Sequence, residues 1–85
     1  MTEEKKNYVY IVRCSDGTYY TGWTTDIENR IRAHNEGRGA KYTRARRPVK
    51  LVRLETYASK GEALSRERAI KKLTRGQKEA LIRGK

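Results

Sequence analysis

The chain is poor in several residue types on which other classes of protein depend. Its 85 residues include one cysteine, Cys14, one histidine and one proline, and there is no phenylalanine. One cysteine cannot form an internal disulfide, and one cysteine with one histidine cannot supply the ligands of a Cys/His zinc site. The sequence therefore excludes a disulfide-rich scaffold and a zinc finger, and it favours a reducing, cytoplasmic location.

Long apolar stretches are missing as well. No run approaches the ~18 apolar residues that a membrane span requires, and the opening MTEEKKNYVYIV mixes acids and bases where a signal peptide would be apolar. We therefore expect no membrane contact. Hydrophobic residues make up 35% of the chain, which predicts one domain over residues 1–85, with its core at about 8–83, and a thin two-layer fold.

Acidic residues are scarce relative to basic ones. The chain has 21 Lys and Arg against 10 Asp and Glu, a formal net charge of +11. This excess favours polyanionic partners, nucleic acid above all. The alternative is a basic surface whose charge serves only to keep the protein in solution.

The basic residues form two groups. The segment 37–54 contains no acid and predicts a nucleic-acid-binding loop, in which Tyr42 supplies a ring for base stacking. Its candidate binding residues are Arg38, Lys41, Tyr42, Arg44, Arg46 and Arg47. The second group, which includes Lys71, Lys72 and Lys78, lies on predicted C-terminal helices and needs no function beyond solvation.

Aromatic and β-branched runs predict three strands. Tyr8–Cys14 and Thr18–Thr24 flank Ser15-Asp16-Gly17 as a β-hairpin, and Pro48 precedes a third strand over Val49–Tyr57. Capping residues predict helices from Asp26 to about Glu36, from Ser59 to about Leu73, and from Thr74 to about Arg83. The predicted class is α+β: a three-stranded, mostly antiparallel sheet with helices packed on it, in the order ββαβαα.

The hairpin loop decides which side chains share a face of the sheet. A three-residue loop with Gly17 left-handed pairs Val12 with Tyr20 and places Tyr10 and Tyr20 on one face. A two-residue loop would separate the two tyrosines. We predict the three-residue loop, because the candidate site described next requires both tyrosines on the same side.

The first predicted helix carries Arg30 and His34 on its apolar side, with Ile27 and Ile31. An arginine beside a buried stripe can present its guanidinium to a cleft, where phosphate is its natural partner. The alternatives are an arginine that extends into water and a histidine that packs or caps.

Glu67 is also unusual in its position, because it falls between Leu64 and Ile70 on the inward side of a predicted helix. A carboxylate there is costly to desolvate unless it meets a cation. It can form an ion pair with a basic neighbour such as Arg30, or it can bind Mg²⁺ together with water and phosphate oxygens. Position alone favours the ion pair.

The order of these residues resembles that of the GIY-YIG nuclease superfamily. Tyr8-Val9-Tyr10 is followed ten residues on by Tyr20-Thr21-Gly22, and then come Arg30, His34 and a late helical Glu67. The resemblance covers about residues 8–73 and is closest to small stand-alone bacterial members. Thr21 stands where the second motif has isoleucine.

The resemblance implies cleavage of nucleic-acid phosphodiester bonds with Mg²⁺ or Mn²⁺, on DNA before RNA, and a role in DNA repair. Tyr10 and Tyr20 match the motif tyrosines, one of which would activate or orient the attacking water. Arg30 would stabilise the phosphate, His34 would assist proton transfer or orientation, and Glu67 would hold the metal. Tyr42 corresponds to a further active-site tyrosine.

Two expectations and two alternatives accompany this interpretation. A tyrosine is a weak base at its ordinary pKa of ~10, so we expect cations such as Arg30 to lower it. Many relatives carry a separate recognition domain, which implies a protein partner that supplies specificity. A non-catalytic nucleic-acid-binding module and a basic protein held by a Glu67–Arg30 ion pair are the alternatives.

Overall fold

The computed structural model describes residues 6–84; residues 1–5 and 85 of the predicted domain lie outside this part. Its elements in chain order are β1 (Asn7–Arg13), β2 (Tyr19–Thr24), α1 (Ile27–Asn35), α2 (Lys41–Arg44), β3 (Lys50–Tyr57), α3 (Lys60–Lys71) and α4 (Arg75–Ile82). The α+β class and the order ββαβαα are confirmed. The segment predicted as a loop contains one additional helical turn, α2. No helix within residues 6–84 is long and apolar enough to cross a membrane.

The sheet is antiparallel with the strand order β2-β1-β3, so β1 is central. Val9 and Ile11 face α3, whereas Tyr10 and Val12 face Ile27 and the rest of the apolar side of α1. Helices therefore cover both faces of the sheet. The expectation of two layers is wrong, because β1 is apolar on both of its faces and each face needs a cover.

The hairpin has the predicted three-residue loop. Cys14 N donates to Thr18 O at 2.8 Å, Gly17 N donates to Cys14 O at 3.0 Å, and Gly17 has φ +84°. Val12 consequently pairs with Tyr20, and Tyr10 pairs with Gly22. Tyr10 and Tyr20 thus share the sheet face that α1 covers.

Side-chain caps fix the helix ends. Asp26 caps α1 by accepting a hydrogen bond from Asn29 N at 3.3 Å, and Gly37 follows the helix with φ +81°. Ser59 caps α3, and Thr74 with Gln77 forms a reciprocal capping box at the start of α4. These caps set where α1 begins on the sheet, and hence where Arg30 and His34 lie.

Glu55 of β3 fastens the helices on the opposite face. Its carboxylate accepts hydrogen bonds from Arg53 and Arg66, each at 2.8 Å, and from Tyr57 at 2.6 Å. Arg53 also donates to Leu81 O in α4 at 2.9 Å. Burial alone would raise the pKa of Glu55, but the hydrogen bonds from Arg66, Tyr57 and Arg53 lower it to about 2. The cluster ties β3 to both α3 and α4.

Candidate active site

The hydroxyl of Tyr10 lies between the side chains of Arg30 and His34. Arg30 Nε donates to Tyr10 Oη at 3.3 Å, and Tyr10 Oη lies 2.7 Å from His34 Nε2. On the other side of the imidazole, Nδ1 lies 2.8 Å from Thr43 Oγ1, which donates to Ala40 O at 3.0 Å. Tyr10, His34 and Thr43 are fully buried. We call Arg30, Tyr10, His34 and Thr43 the buried relay.

The direction of these hydrogen bonds follows from the number of available protons. Thr43 has one hydroxyl proton and gives it to Ala40 O, so Thr43 Oγ1 accepts from His34 Nδ1–H. Ala40 N–H also faces Nδ1, but at 3.5 Å it is the weaker contact. A neutral imidazole has one N–H, so Nε2 accepts and Tyr10 donates to it.

Both titratable groups of the buried relay are held in their neutral forms. Burial lowers the pKa of His34, and the nearby charge of Arg30 lowers it further. Burial raises the pKa of Tyr10, and the hydrogen bond from Arg30 offsets only part of that rise. Arg30 lowers the pKa of Tyr10 as expected, but burial outweighs this effect, so the cations of the chain alone do not favour the phenolate. Tyr10 can lose its proton only to an acceptor, and His34 Nε2 is in place to accept it.

Two glycines leave the room that the relay occupies. A Cβ on Gly22 would lie 2.5 Å from Tyr10 Oη, and a Cβ on Gly39 would lie 2.3 Å from His34 Nδ1. The glycine of the Tyr-x-Gly motif is thus needed because the end of the Tyr10 ring crosses β2 at that point. Sequence reasoning missed Gly39 and Thr43. The glycine pair at 37 and 39 was a usable signal, but nothing in the sequence distinguishes Thr43.

Tyr20 and Tyr42 lie between the buried relay and solvent. The ring of Tyr20 meets His34 edge-on at 5.4 Å and stacks on Tyr42 at 6.0 Å with an interplanar angle of 22°. The Arg46 guanidinium covers the Tyr42 ring at 4.0 Å and pairs with Asp16 at 3.0 Å. Tyr42 is 38% exposed. The structure therefore brings Tyr42 and Arg46, both predicted to bind nucleic acid, next to the candidate catalytic residues.

Glu67 approaches the site from α3. Its side chain is only 14% exposed and pairs with Lys71 Nζ at 3.5 Å. Glu67 therefore forms the ion pair with a basic neighbour that its position favoured, but the partner is Lys71. Within residues 6–84 Arg30 forms no ion pair, so a Glu67–Arg30 pair is not present. Burial is the main cause of the raised pKa of Tyr10, and the negative charge of Glu67 adds a small further rise.

The donor chemistry of Glu67 fits a hard divalent cation. The described part of the chain has no group of three or more His, Cys, Asp or Glu side chains that could enclose an ion. A single half-buried carboxylate, held by one lysine on its own helix, suits Mg²⁺ or Mn²⁺, which keep water and phosphate oxygens as further ligands.

The other predicted nucleic-acid-binding residues are more dispersed. Arg38 pairs with Glu36 at the surface, and Arg47 donates to the backbone oxygens of Arg44 and Asn35. Arg44 and Arg47 line a separate open cleft of about 490 Å³. Lys41 and Arg44 are exposed.

The fold and the converging tyrosines define a catalytic domain of the GIY-YIG class of nucleases. A model of the GIY-YIG catalytic domain matches residues 6–80, and the chain belongs to this family. The sequence resemblance is thereby confirmed. Members of the superfamily are generally endonucleases and typically use divalent metals.

Among individual proteins, the chain is similar to several that are described as UPF0213 proteins. The UPF0213 protein of Clostridium perfringens is 62% identical over 79 residues, which span 93% of this chain and 85% of the relative. The UPF0213 protein VNG_2274C of Halobacterium salinarum is 59% identical over 76 residues, which span 89% of this chain and 99% of the relative. The solution NMR structure of the UPF0213 protein BH0048 from Bacillus halodurans has a TM-score of 0.62 at 49% identity, covering 94% of this chain and 85% of that one.

Proposed function

We propose that this chain is a metal-dependent endonuclease that hydrolyses phosphodiester bonds of nucleic acid, DNA before RNA. The observation that carries the proposal is the hydrogen-bond chain from Arg30 through Tyr10 to His34, directly behind the exposed stack of Tyr20 and Tyr42. A neutral imidazole that accepts a hydrogen bond from a tyrosine is a base at neutral pH. The cytoplasmic location, the DNA-repair role and the protein partner stay predictions of the sequence.

Arg30 binds the scissile phosphate in this proposal. Its Nε is engaged by Tyr10, but within residues 6–84 no carboxylate neutralises its charge. The two terminal nitrogens of the guanidinium can therefore meet two phosphate oxygens at once. Fixed by the hydrogen bond to Tyr10, this charge stabilises the transition state without reorganisation.

The attacking water loses its proton through the buried relay. It gives the proton to Tyr10 Oη while Tyr10 passes its own proton to His34 Nε2, and Thr43 continues to accept from Nδ1–H. Tyr10 is fully buried, so this step requires the water to enter the site past its half-buried neighbours Tyr20 and Arg30. Tyr20 orients that water or the phosphate. A divalent cation held by Glu67 would polarise the phosphate and stabilise the leaving oxygen.

Cleavage assays with a substrate panel test the proposal. The purified chain is incubated with single-stranded, duplex and branched DNA and with RNA, in Mg²⁺, in Mn²⁺ and in EDTA. We expect cleavage only with metal. Glu67→Gln should abolish cutting and retain salt-sensitive binding, whereas Glu62→Gln, an exposed change on the same helix, should cut normally.

Two results would overturn the proposal. Cleavage that survives Glu67→Gln would point to a contaminating nuclease or to a different site. Tight binding by the wild type without cleavage of any substrate would favour the non-catalytic nucleic-acid-binding module.

A further inference from the structure

A cleft of about 220 Å³ lies at the free edge of β2, on the far side of Tyr20 from the buried relay. Its lining residues are Tyr19, Tyr20, Thr21, Tyr42, Lys71 and Lys78. Two of them are lysines and none is acidic, so the cleft has the character of an anion site. The proposed hydrolysis uses Tyr20 but gives no role to Thr21, Lys71 or Lys78, and the sequence pattern assigned the two lysines to solvation.

Thr21 is the unusual residue of this cleft. It is 3% exposed, and its Oγ1 is the one buried side-chain polar atom within residues 6–84 that has no hydrogen-bond partner. A buried hydroxyl without a partner is costly, and native proteins rarely keep one without a reason. The isoleucine that the motif carries at this position would avoid that cost. The hydroxyl therefore points to a ligand that completes its hydrogen bonding.

The backbone of Thr21 faces the same opening. Cys14 N donates to Thr18 O, so these two residues form a hydrogen-bonded pair, and such pairs recur at every second residue of an antiparallel hairpin. The backbone groups of Tyr20 and Gly22 therefore bond to β1. Thr21, opposite Ile11, directs its N–H and C=O to the free edge instead. The cleft thus offers a backbone N–H and two ammonium groups, and the unpartnered Thr21 hydroxyl is buried beside them. Such a set of donors suits an oxyanion.

The position of the cleft indicates which oxyanion it receives. Lys71 lines the cleft and also pairs with Glu67 at 3.5 Å, while the Tyr20–Tyr42 stack borders both the cleft and the buried relay. A nucleic-acid strand whose scissile phosphate lies at Arg30 would pass this opening. We propose that the cleft binds the phosphodiester group that flanks the scissile one, with Thr21 and Lys78 as its ligands and Lys71, which pairs with Glu67, at its border. This inference rests on the proposed function.

Thr21→Val tests the hydroxyl, because valine keeps the shape of the side chain and removes its polar atom. Affinity for a fluorescent oligonucleotide is measured by anisotropy in EDTA, together with the Tm of each variant. We expect about tenfold weaker binding, the loss of one hydrogen bond to a charged group. The Tm should be unchanged or higher, since the unpaired hydroxyl is gone. A Tm that falls while affinity stays at the wild-type value would assign Thr21 a purely structural role and overturn the proposal.

Lys78→Met tests the charge, with Lys72→Met as the matched control. Both variants lose one positive charge, but Lys72 is exposed and does not line the cleft. Lys78→Met should reduce the slope of log affinity against log salt by roughly 0.7–0.9, the value for one phosphate contact. Lys72→Met should leave the slope unchanged, and equal effects of the two variants would overturn the proposal.

A third arm separates the two sources of phosphate. Inorganic phosphate that raises the Tm of the wild type but not of Thr21→Val would support a site filled from solution; stabilisation by oligonucleotide alone would support a site for the polymer. Because binding is measured without metal, a loss of affinity in Thr21→Val would support the phosphate site in the cleft even if the wild type never cuts nucleic acid. Failure of the proposed hydrolysis is thus distinguishable from failure of this inference.

Discussion

At the scale of single residues, burial gives Tyr10 and His34 their chemistry. The same phenol and imidazole at a surface would titrate near their ordinary pKa values, and the imidazole would be partly protonated at neutral pH. Burial raises the pKa of Tyr10 and lowers that of His34, so the relay at neutral pH consists of a proton donor facing an empty acceptor. Arg30 favours the same arrangement, because its charge disfavours protonation of His34.

Tyr10→Phe should stop catalysis while the fold persists. The variant removes the hydroxyl that joins Arg30 to His34, so the rate of cleavage should fall by roughly 10²–10⁴, the usual contribution of acid–base catalysis. His34 Nε2 loses its donor in a buried position, which should lower the free energy of unfolding by about 1–3 kcal/mol. Single-turnover cleavage and urea unfolding measure the two effects.

The matched control is Tyr8→Phe. Tyr8 is a half-buried tyrosine on the same strand and lies on the same face of the sheet as Tyr10. We expect the Tyr8→Phe variant to cleave nucleic acid at nearly the wild-type rate. Wild-type cleavage by Tyr10→Phe would remove the relay from the mechanism.

Stability should depend on pH through His34. Its folded pKa lies below the unfolded value of ~6.5, so below that pH the unfolded chain binds a proton that the folded chain does not. Stability should therefore fall as the pH drops from about 6.5 toward the folded pKa. Glu55, with a pKa lowered from 4.5 to about 2, stabilises above 4.5 and loses that contribution as the pH falls toward 2, so the effect of His34 begins at the higher pH.

Urea unfolding at pH 7.5 and 5.5 measures the effect of His34. Because the chain has one histidine, NMR titration of its ring gives the folded pKa directly, without any variant. A folded pKa at or above 6.5 would contradict the lowered value. A folded pKa above neutral pH would in addition leave the imidazole protonated and remove the neutral base from the proposed reaction.

At the scale of elements, α2 exists to complete the site. A helix of four residues has no stability of its own, and Thr43, its one buried residue, holds it by bonding His34 across the chain. Gly39 lets the chain turn closely past the imidazole. This corner therefore fixes the imidazole of His34, at the end of α1, against α2.

Gly39→Ala should disturb this arrangement. The new Cβ would lie 2.3 Å from His34 Nδ1 and 2.9 Å from its Cα, so backbone as well as side chain must shift. We expect a loss of about 1–3 kcal/mol in the free energy of unfolding and reduced cleavage, because the His34–Thr43 bond is displaced. Gly61→Ala is the control: it lies in α3 with nothing within 4 Å of the new Cβ and should stabilise by about 0.5–1 kcal/mol. Equal effects of the two changes on stability or cleavage would refute the close packing at Gly39.

The elements also show what a single sequence can predict. The hairpin loop and the helix caps are local, and turn chemistry together with side-chain spacing predicted them. The turn α2 and the bond to Thr43 depend on contacts with His34, which no local pattern records. The burial of both faces of β1 did have a signal, because Val9 to Val12 is a continuous apolar run.

At the scale of the whole molecule, the net charge of +11 is distributed unevenly between structural and free groups. Arg53 and Arg66 are engaged by Glu55, and Arg46 is engaged by Asp16 and by the ring of Tyr42. Arg44 forms no ion pair within the described residues and lines an open cleft, whereas Arg38 is already neutralised by Glu36. The free groups, rather than the total charge, should determine contact with phosphate.

Arg44→Gln and Arg38→Gln distinguish a direct contact with phosphate from attraction by the overall positive charge, because each variant lowers the net charge by one. A phosphate contact releases counterions, so Arg44→Gln should reduce the slope of log affinity against log salt by roughly 0.7–0.9. Arg38→Gln removes a charge that Glu36 already balances, and its slope should match that of the wild type. Fluorescence anisotropy between 50 and about 200 mM salt, the range over which such slopes are resolved, measures both. Equal reductions would mean that the protein binds through its overall field, and Arg44 would then have no contact of its own.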